Sequence, residues 1–328
     1  MQKYLDFKSN ETGFRVDQLE RQFHVTKILA LIENDGFLRS NTVIKGGTAI
    51  QGAWCKLIRL SYDIDLDFIG GEKLAVMNEK RPLIISRIKQ ISEENNYKVK
   101  ITPPSHIIER LELRYESIRN TSGLTRIEIN FLNRIPLINV VEKEFHNIFP
   151  EKIKNFSIIT YDLHELLAMK ITTFIQRKAS RDFFDISSLI NLPTSYLNFY
   201  DLKILIIIYL LMIPRQELAG LIQIEEFESV SIEILKILNT LNLDAIKREI
   251  NKELLRTYPL DINKTKKKIV KCLSRIPPLN KNDKKMWDEF FSNGKFTPDH
   301  LLEESSRINR DLISHPSILR RINHDHKS

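Results

Sequence analysis

Two short patterns hold the residues best able to do chemistry: Lys45-Gly46-Gly47-Thr48 and, further on, Asp63-Ile64-Asp65. The run Thr42-Val43-Ile44-Lys45 reads as a short strand that stops at the glycine pair, with a helix expected over Thr48–Leu57. Glycines let a backbone approach a ligand closely, and N–H groups at a helix start favour phosphate. Thr48 adds a hydroxyl. The alternation in DIDLDFI predicts a strand over Asp63–Ile69, with Asp63 and Asp65 on one face and Ile64, Leu66 and Phe68 on the other. Two carboxylates so close repel each other unless a cation sits between them. Hard oxygen donors suit Mg²⁺ (or Mn²⁺), and Mg²⁺ is usually held by one or two carboxylates plus substrate phosphates. The two patterns together describe a metal–triphosphate site suited to in-line displacement at the α-phosphate. Glu128, flanked by Ile127 and Ile129 on a later strand, is the candidate third metal carboxylate. Asp67 reads as a solvated strand residue. The chain has no GxxxxGK[ST], and the glycine turn lacks the third glycine of a dinucleotide fingerprint.

The elements that must position these residues are legible in outline. Val16–Glu33 has apolar residues at helical spacing, and Leu74–Asn95 reads as a second helix. Strands are expected over Tyr97–Thr102, Leu111–Ser117 and Arg126–Leu132. Irregular sequence follows Pro136 as far as Tyr161, and a helix runs from Leu163 to about Lys178. From Tyr200 onward the pattern is helical almost throughout, broken at prolines. A strand-rich half before a helical half implies an α+β domain over residues 1–190, with its end anywhere from about 155 to 195, followed by a helical bundle over 191–328.

Net charge is +8, and Ala245–Ser328 alone carries 19 Lys/Arg against 11 Asp/Glu. The surplus concentrates at Lys264, Lys266, Lys267, Lys268 and Lys271, which is either a solvated helix face or a surface for RNA. Cys55 and Cys272 lack metal-ligand spacing and are expected to be free thiols of a reducing compartment. The N-terminus lacks the apolar core of a signal peptide, and Ile204–Ile213 is too short to span a bilayer and reads as a buried helix. A cytoplasmic location without membrane association is expected. His24 and His164 are expected at the surface or as caps, Trp54 and Trp287 in the core, and His324 and His326 in a disordered tail.

The stretch KGGTAI followed by RLSYDIDLDF resembles the signature of the AbiEii/AbiGii family of toxin nucleotidyltransferases, which includes the MenT toxins. Downstream, LHELLAMKITTFIQRKASRDFFDI resembles a second block of the same family, in the same order. The likeness covers most of residues 15–190. It implies a polymerase-β-like nucleotidyltransferase domain with a mixed sheet. Its residues imply that Gly46, Gly47 and Thr48 border the triphosphate, with Lys45 and Arg59 close by and Ser61 beside the metal. Asp63 and Asp65 would hold Mg²⁺, Lys170 would reach the nucleotide phosphates, and Asp182 (or Asp185) would complete the site. Arg177 and Arg181 fall at helical spacing from Lys170 and could add positive charge near the nucleotide; Asp185 could instead pair with Arg181 across one helical turn. The expected reaction moves a nucleoside monophosphate from an NTP to an acceptor hydroxyl. The family likeness suggests RNA, in particular the tRNA 3′ end, as acceptor, and a cognate antitoxin as partner in a type IV toxin–antitoxin or abortive-infection system. Two rivals stand beside this: transfer onto a protein side chain, and a non-catalytic GTP- or RNA-binding module of the same fold.

Overall fold

The computed structural model describes residues 1–325 apart from 104, 106, 120, 194–196 and 256–257. It divides into two compact units. The first comprises residues 1–134, 140–161 and 251–259; the second comprises 135–139, 162–250 and 260–328.

The described residues of the first unit build a seven-stranded mixed sheet in the order β3-β4-β5-β2-β1-β7-β6. The strands are β1 (Thr42–Lys45), β2 (Asp63–Phe68), β3 (Lys98–Ile101), β4 (Ile108–Glu116), β5 (Ser122–Asn130), β6 (Val141–Glu144) and β7 (Ser157–Thr160). β2 lies at the centre, antiparallel to β1 and parallel to β5. Ile44, Ile64, Leu66, Phe68, Leu111 and Ile127 lie fully buried in one core cluster. Ile28, Leu29 and Ile32 from the helix Val16–Asn34, and Ile84 and Ile88 from the helix Leu74–Glu94, join the same cluster. Each such side chain contributes about 1.5–3 kcal/mol of hydrophobic stabilisation. Because side chains alternate along a strand, burying Ile64, Leu66 and Phe68 fixes Asp63, Asp65 and Asp67 on the other face. A slip of one residue would drive three acids into the core.

Two strands occupy the stretch expected to be irregular. β6 and β7 are four residues each, too short to show a period, and β6 (VEKE) lies at the sheet edge, where charge discourages further pairing. The helix expected over Thr48–Leu57 is also different: a single α turn, Gly46–Ala49, passes into a π turn, Ile50–Trp54. Gly52 backs onto the Phe145 ring so closely that a Cβ would collide, and its carbonyl accepts from His146 N at 2.6 Å. Lys56 and Leu57 then take left-handed φ values, both 54°, as the chain turns towards Arg59. Trp54 is half-buried beneath Lys143, whose ammonium lies 4.3 Å from the ring centroid, and so is not a core residue.

The second unit is helical in its described residues. Phe199–Leu211 is buried along most of its length, and Lys203 within it pairs with Asp283 at 2.8 Å. No described helix is long and apolar enough to cross a membrane. Trp287 is fully buried and donates to Ile224 O, as expected of a core tryptophan. Neither cysteine forms a disulfide, and both are buried. His164, expected at the surface or as a cap, is buried: its Nδ1 lies 2.7 Å from Asp162 Oδ1 and its Nε2 accepts from Asn198 N. Its position just inside the helix cap Asp162 turns the ring inward. His324 lies in the helix Pro316–Asp325, not in a disordered tail, and His326 lies outside the described residues.

Glu165 ties segment 135–139 to this unit by accepting from Leu137 N and Ile138 N at 2.8 and 2.9 Å and from the Tyr209 hydroxyl at 2.9 Å. Burial outweighs these donors and pushes its pKa from 4.5 up to about 8. The folded chain therefore keeps a proton that the unfolded chain releases above about pH 4.5, so this group's contribution is fullest below that pH and is lost as pH rises through about 8. Glu165→Gln is expected to flatten the decline of unfolding free energy over that window, read by urea unfolding at several pH values. An unchanged slope would exclude Glu165 as its source.

Candidate active site

The glycine corner after β1 and the acids of β2 are stitched together by side chains from both. Lys45 pairs with Asp65 in the strand register, and Asp65 in turn sits opposite Glu128 of β5. Lys45, Asp65 and Glu128 thus form one row across three strands on the face away from the core. Gly46 has φ of 71°, in the left-handed region, and a Cβ there would collide with Asp65 Oδ2. A Cβ on Gly47 would come within 2.7 Å of Arg59 Nη2 and 2.8 Å of Ser61 Oγ. The Thr48 hydroxyl donates to Asp63 O at 2.6 Å. Every residue of the glycine corner therefore abuts a member of the RLSYDID segment.

Gly46→Ala is expected to cost about 1–2 kcal/mol through the left-handed backbone. The new methyl also displaces the Asp65 carboxylate, so NTP turnover is expected to fall at least about tenfold further than lost stability explains. Turnover assays beside urea unfolding check this, and wild-type turnover would show that Asp65 need not sit where it does.

Asp67 corrects its sequence reading. It is fully buried, not solvated, and accepts from Lys45 Nζ at 2.6 Å and the Tyr161 hydroxyl at 2.8 Å. Burial works to lower the Lys45 pKa, but the charge and hydrogen bond of Asp67 outweigh it and hold the ammonium above its ordinary value, with Asp65 and Glu128 adding to the effect. Lys45 thus places a fixed positive charge beside the carboxylate row. Arg59 is buried, donating to Leu60 O at 2.8 Å and lying 3.3 Å from Glu253.

Asp63, Asp65 and Glu128 line one pocket of about 180 Å³, with Arg110, Arg126 and Thr102. Glu128 turns to Arg110, Nε to Oε2 being 2.6 Å. Among the described residues no three His, Cys, Asp or Glu side chains converge as a metal-holding group. Two half-buried carboxylates, two residues apart on one strand face, remain. Such a pair fits the divalent ions that take one or two protein carboxylates and complete their shell with phosphate oxygens and water.

In the second unit Lys170, Arg177, Asp182 and Asp185 form one cluster. Lys170 Nζ lies 3.0 Å from Asp182 and 2.9 Å from Asp185, both fully buried. Arg177 grips Asp182 with two donors, Nε at 2.6 Å and Nη2 at 2.9 Å. Lys170 thus lies between Asp182 and Asp185 and pairs with both. Arg181 is exposed in the first turn of the helix Ser180–Ile190. Asp67, Tyr161 and Arg110 are the residues sequence reading missed; the period-two spacing of Asp67 from Asp65 was a usable signal, while nothing local marks Tyr161.

Residues 28–293 match the family described as nucleotidyl transferase AbiEii toxin, type IV TA system. The chain belongs to the AbiEii family. It is accordingly a nucleotidyltransferase toxin of the type IV toxin–antitoxin class, and that membership implies an NTP substrate and an antitoxin partner. No curated protein matches the chain. Among solved structures, it is similar to MenT4, a nucleotidyltransferase toxin from Mycobacterium tuberculosis H37Rv. That likeness has a TM-score of 0.62 at 13% identity and covers 88% of this chain and 92% of the other. At such identity the likeness speaks for the AbiEii fold alone. JHP933 from Helicobacter pylori matches at TM-score 0.48 and 16% identity, over 86% of this chain and 100% of that one.

Proposed function

We propose that this AbiEii toxin transfers a nucleoside monophosphate from an NTP to a hydroxyl of RNA, at the tRNA 3′ end, and releases pyrophosphate. One observation carries the reading: Gly46 packs directly on the Asp65 carboxylate, with Thr48 bonded to the backbone of Asp63. Asp63 and Asp65 hold Mg²⁺ (or Mn²⁺), which when bound supplies charge neutralisation for the triphosphate. The backbone at Gly46, Gly47 and Thr48 borders the phosphates, and Arg59 and Ser61 support that corner from behind Gly47. Lys45 keeps the site's charge balanced, and Glu128, paired with Arg110, borders the pocket. Lys170, held by Asp182 and Asp185, and the neighbouring Arg177 and Arg181 are assigned to the nucleotide's phosphates. The bond from the α-phosphorus to the leaving pyrophosphate breaks as the acceptor hydroxyl oxygen, giving up its proton to solvent, bonds to that phosphorus on the opposite side.

Exposed Lys264, Lys267, Lys268 and Lys271 on the helix Ile262–Leu273 suit an RNA backbone. The reaction draws on cytoplasmic substrates, and the enzyme is assigned to that compartment. Incubating the chain with each labelled NTP, total RNA and Mg²⁺ tests the proposal. Label is expected on RNA, with binding that weakens steeply as salt rises. Label on protein alone would replace the acceptor, and no transfer with any NTP would reject the reaction.

A further inference from the structure

On the sheet face opposite Asp63 and Asp65, a pocket of about 670 Å³ opens beside the helix Val16–Asn34 and the end of β4. Its floor is aromatic. The His24 imidazole stacks on Tyr115 with 3.5 Å between ring centroids and meets Tyr97 edge-on at 5.5 Å. His24 Nδ1 and the Tyr97 hydroxyl are 2.7 Å apart. Burial, with a smaller push from Lys27, lowers the His24 pKa to about 3, so the ring is neutral at physiological pH.

The rim is basic. Lys27, Lys152 and Lys154 line the pocket, against a single acid, Glu116. Among the described residues no carboxylate lies within 4 Å of any of these three ammonium groups. Lys27 is the telling one. It is half-buried, its ammonium 5.5 Å from the centre of the Tyr97 ring, and burial holds its pKa below the ordinary lysine value. A desolvated ammonium without a paired acid is stabilised by an incoming anion, which a solvated surface lysine does not need. The side-chain amides of Asn34, Asn95 and Asn96 complete the wall with donors and acceptors that can meet the edge of a base.

We infer that this pocket binds a nucleotide, its planar base at the partly exposed His24 ring, which the buried Tyr97 and Tyr115 hold in place, and its phosphate at Lys27, Lys152 and Lys154, at a site separate from the Asp63–Asp65 face. The pocket volume lies within the range of small-molecule sites. Neutral aromatic rings stack on any base, and ammonium groups bind phosphate by charge-assisted hydrogen bonds. The ligand is either a free nucleotide or one unit of an RNA chain.

The test uses the full chain with ring-labelled histidine in EDTA, so that binding does not depend on a divalent ion. AMP and, separately, a short oligoadenylate are titrated while the His24 resonance, assigned with His24→Gln, is followed by NMR. A saturable shift with AMP identifies the free nucleotide as ligand; a shift with the oligonucleotide alone identifies an RNA unit. Lys27→Ala combined with Lys154→Ala is expected to weaken that response by about tenfold, and Lys27→Arg to retain it. Pyrophosphate release at saturating RNA should stay at the wild-type level in these variants, which separates this site from the proposed catalytic one. A His24 resonance unmoved by both ligands at millimolar concentration, or a shift undiminished in the double variant, would overturn the inference.

Discussion

Asp65→Ala is expected to reduce NTP turnover by about a thousandfold or more while leaving the fold intact. The size follows from what the carboxylate is asked to do. A divalent ion bound through two protein carboxylates loses half of its protein ligands, and the charge it supplies to the departing pyrophosphate goes with it. The structural effect is small because Asp65 points away from the core that Ile64 and Leu66 enter. Its removal also relieves the repulsion from Asp63. The unfolding midpoint should therefore stay close to that of the unchanged chain, while pyrophosphate release and growth inhibition vanish. Undiminished turnover in a folded Asp65→Ala variant would end the assignment of the site.

Lys170→Met is expected to have the larger effect on stability. Asp182 and Asp185 are both fully buried, and Lys170 is the cation that touches each of them. Arg177 also grips Asp182, but its side chain is 58% exposed, whereas that of Lys170 is 12% exposed. Removing one partner of a buried ion pair costs about 3–5 kcal/mol, because the remaining charge stays desolvated. Denaturant unfolding measures this directly. Adding Asp185→Asn to Lys170→Met should recover part of the loss, as one fully buried charge is then gone. A loss below about 1 kcal/mol, or no recovery in the double variant, would show that the cluster is solvated rather than mutually dependent.

The sheet face of the site was readable because a period of two leaves no choice: once Ile64, Leu66 and Phe68 enter a core, their acidic neighbours must take the opposite face. Lys170 and Asp182 were named through the family resemblance alone; that Lys170 also pairs with Asp185 depends on how two consecutive helices pack, which spacing within each does not encode. Asp67 was misread because its solvation depends on partners remote in sequence. Lys45 reaches it from the antiparallel neighbour β1, and Tyr161 follows β7, a strand too short to recognise. Glu128 was placed on the correct face, yet its carboxylate is claimed by Arg110, which the strand pattern sets directly opposite only when the β4–β5 register is known. The π turn after the glycine corner depends on Phe145, another contact that spacing within the local segment does not encode.

The most direct measurement is a crystal structure of the chain with Mn²⁺ and a non-hydrolysable NTP, with the ion located by its anomalous signal. One Mn²⁺ is expected, bound by both Asp63 and Asp65 and by the nucleotide's phosphates, with those phosphates against the backbone of Gly46, Gly47 and Thr48. A nucleotide held elsewhere, with the Asp63–Asp65 pair carrying no ion, would contradict it.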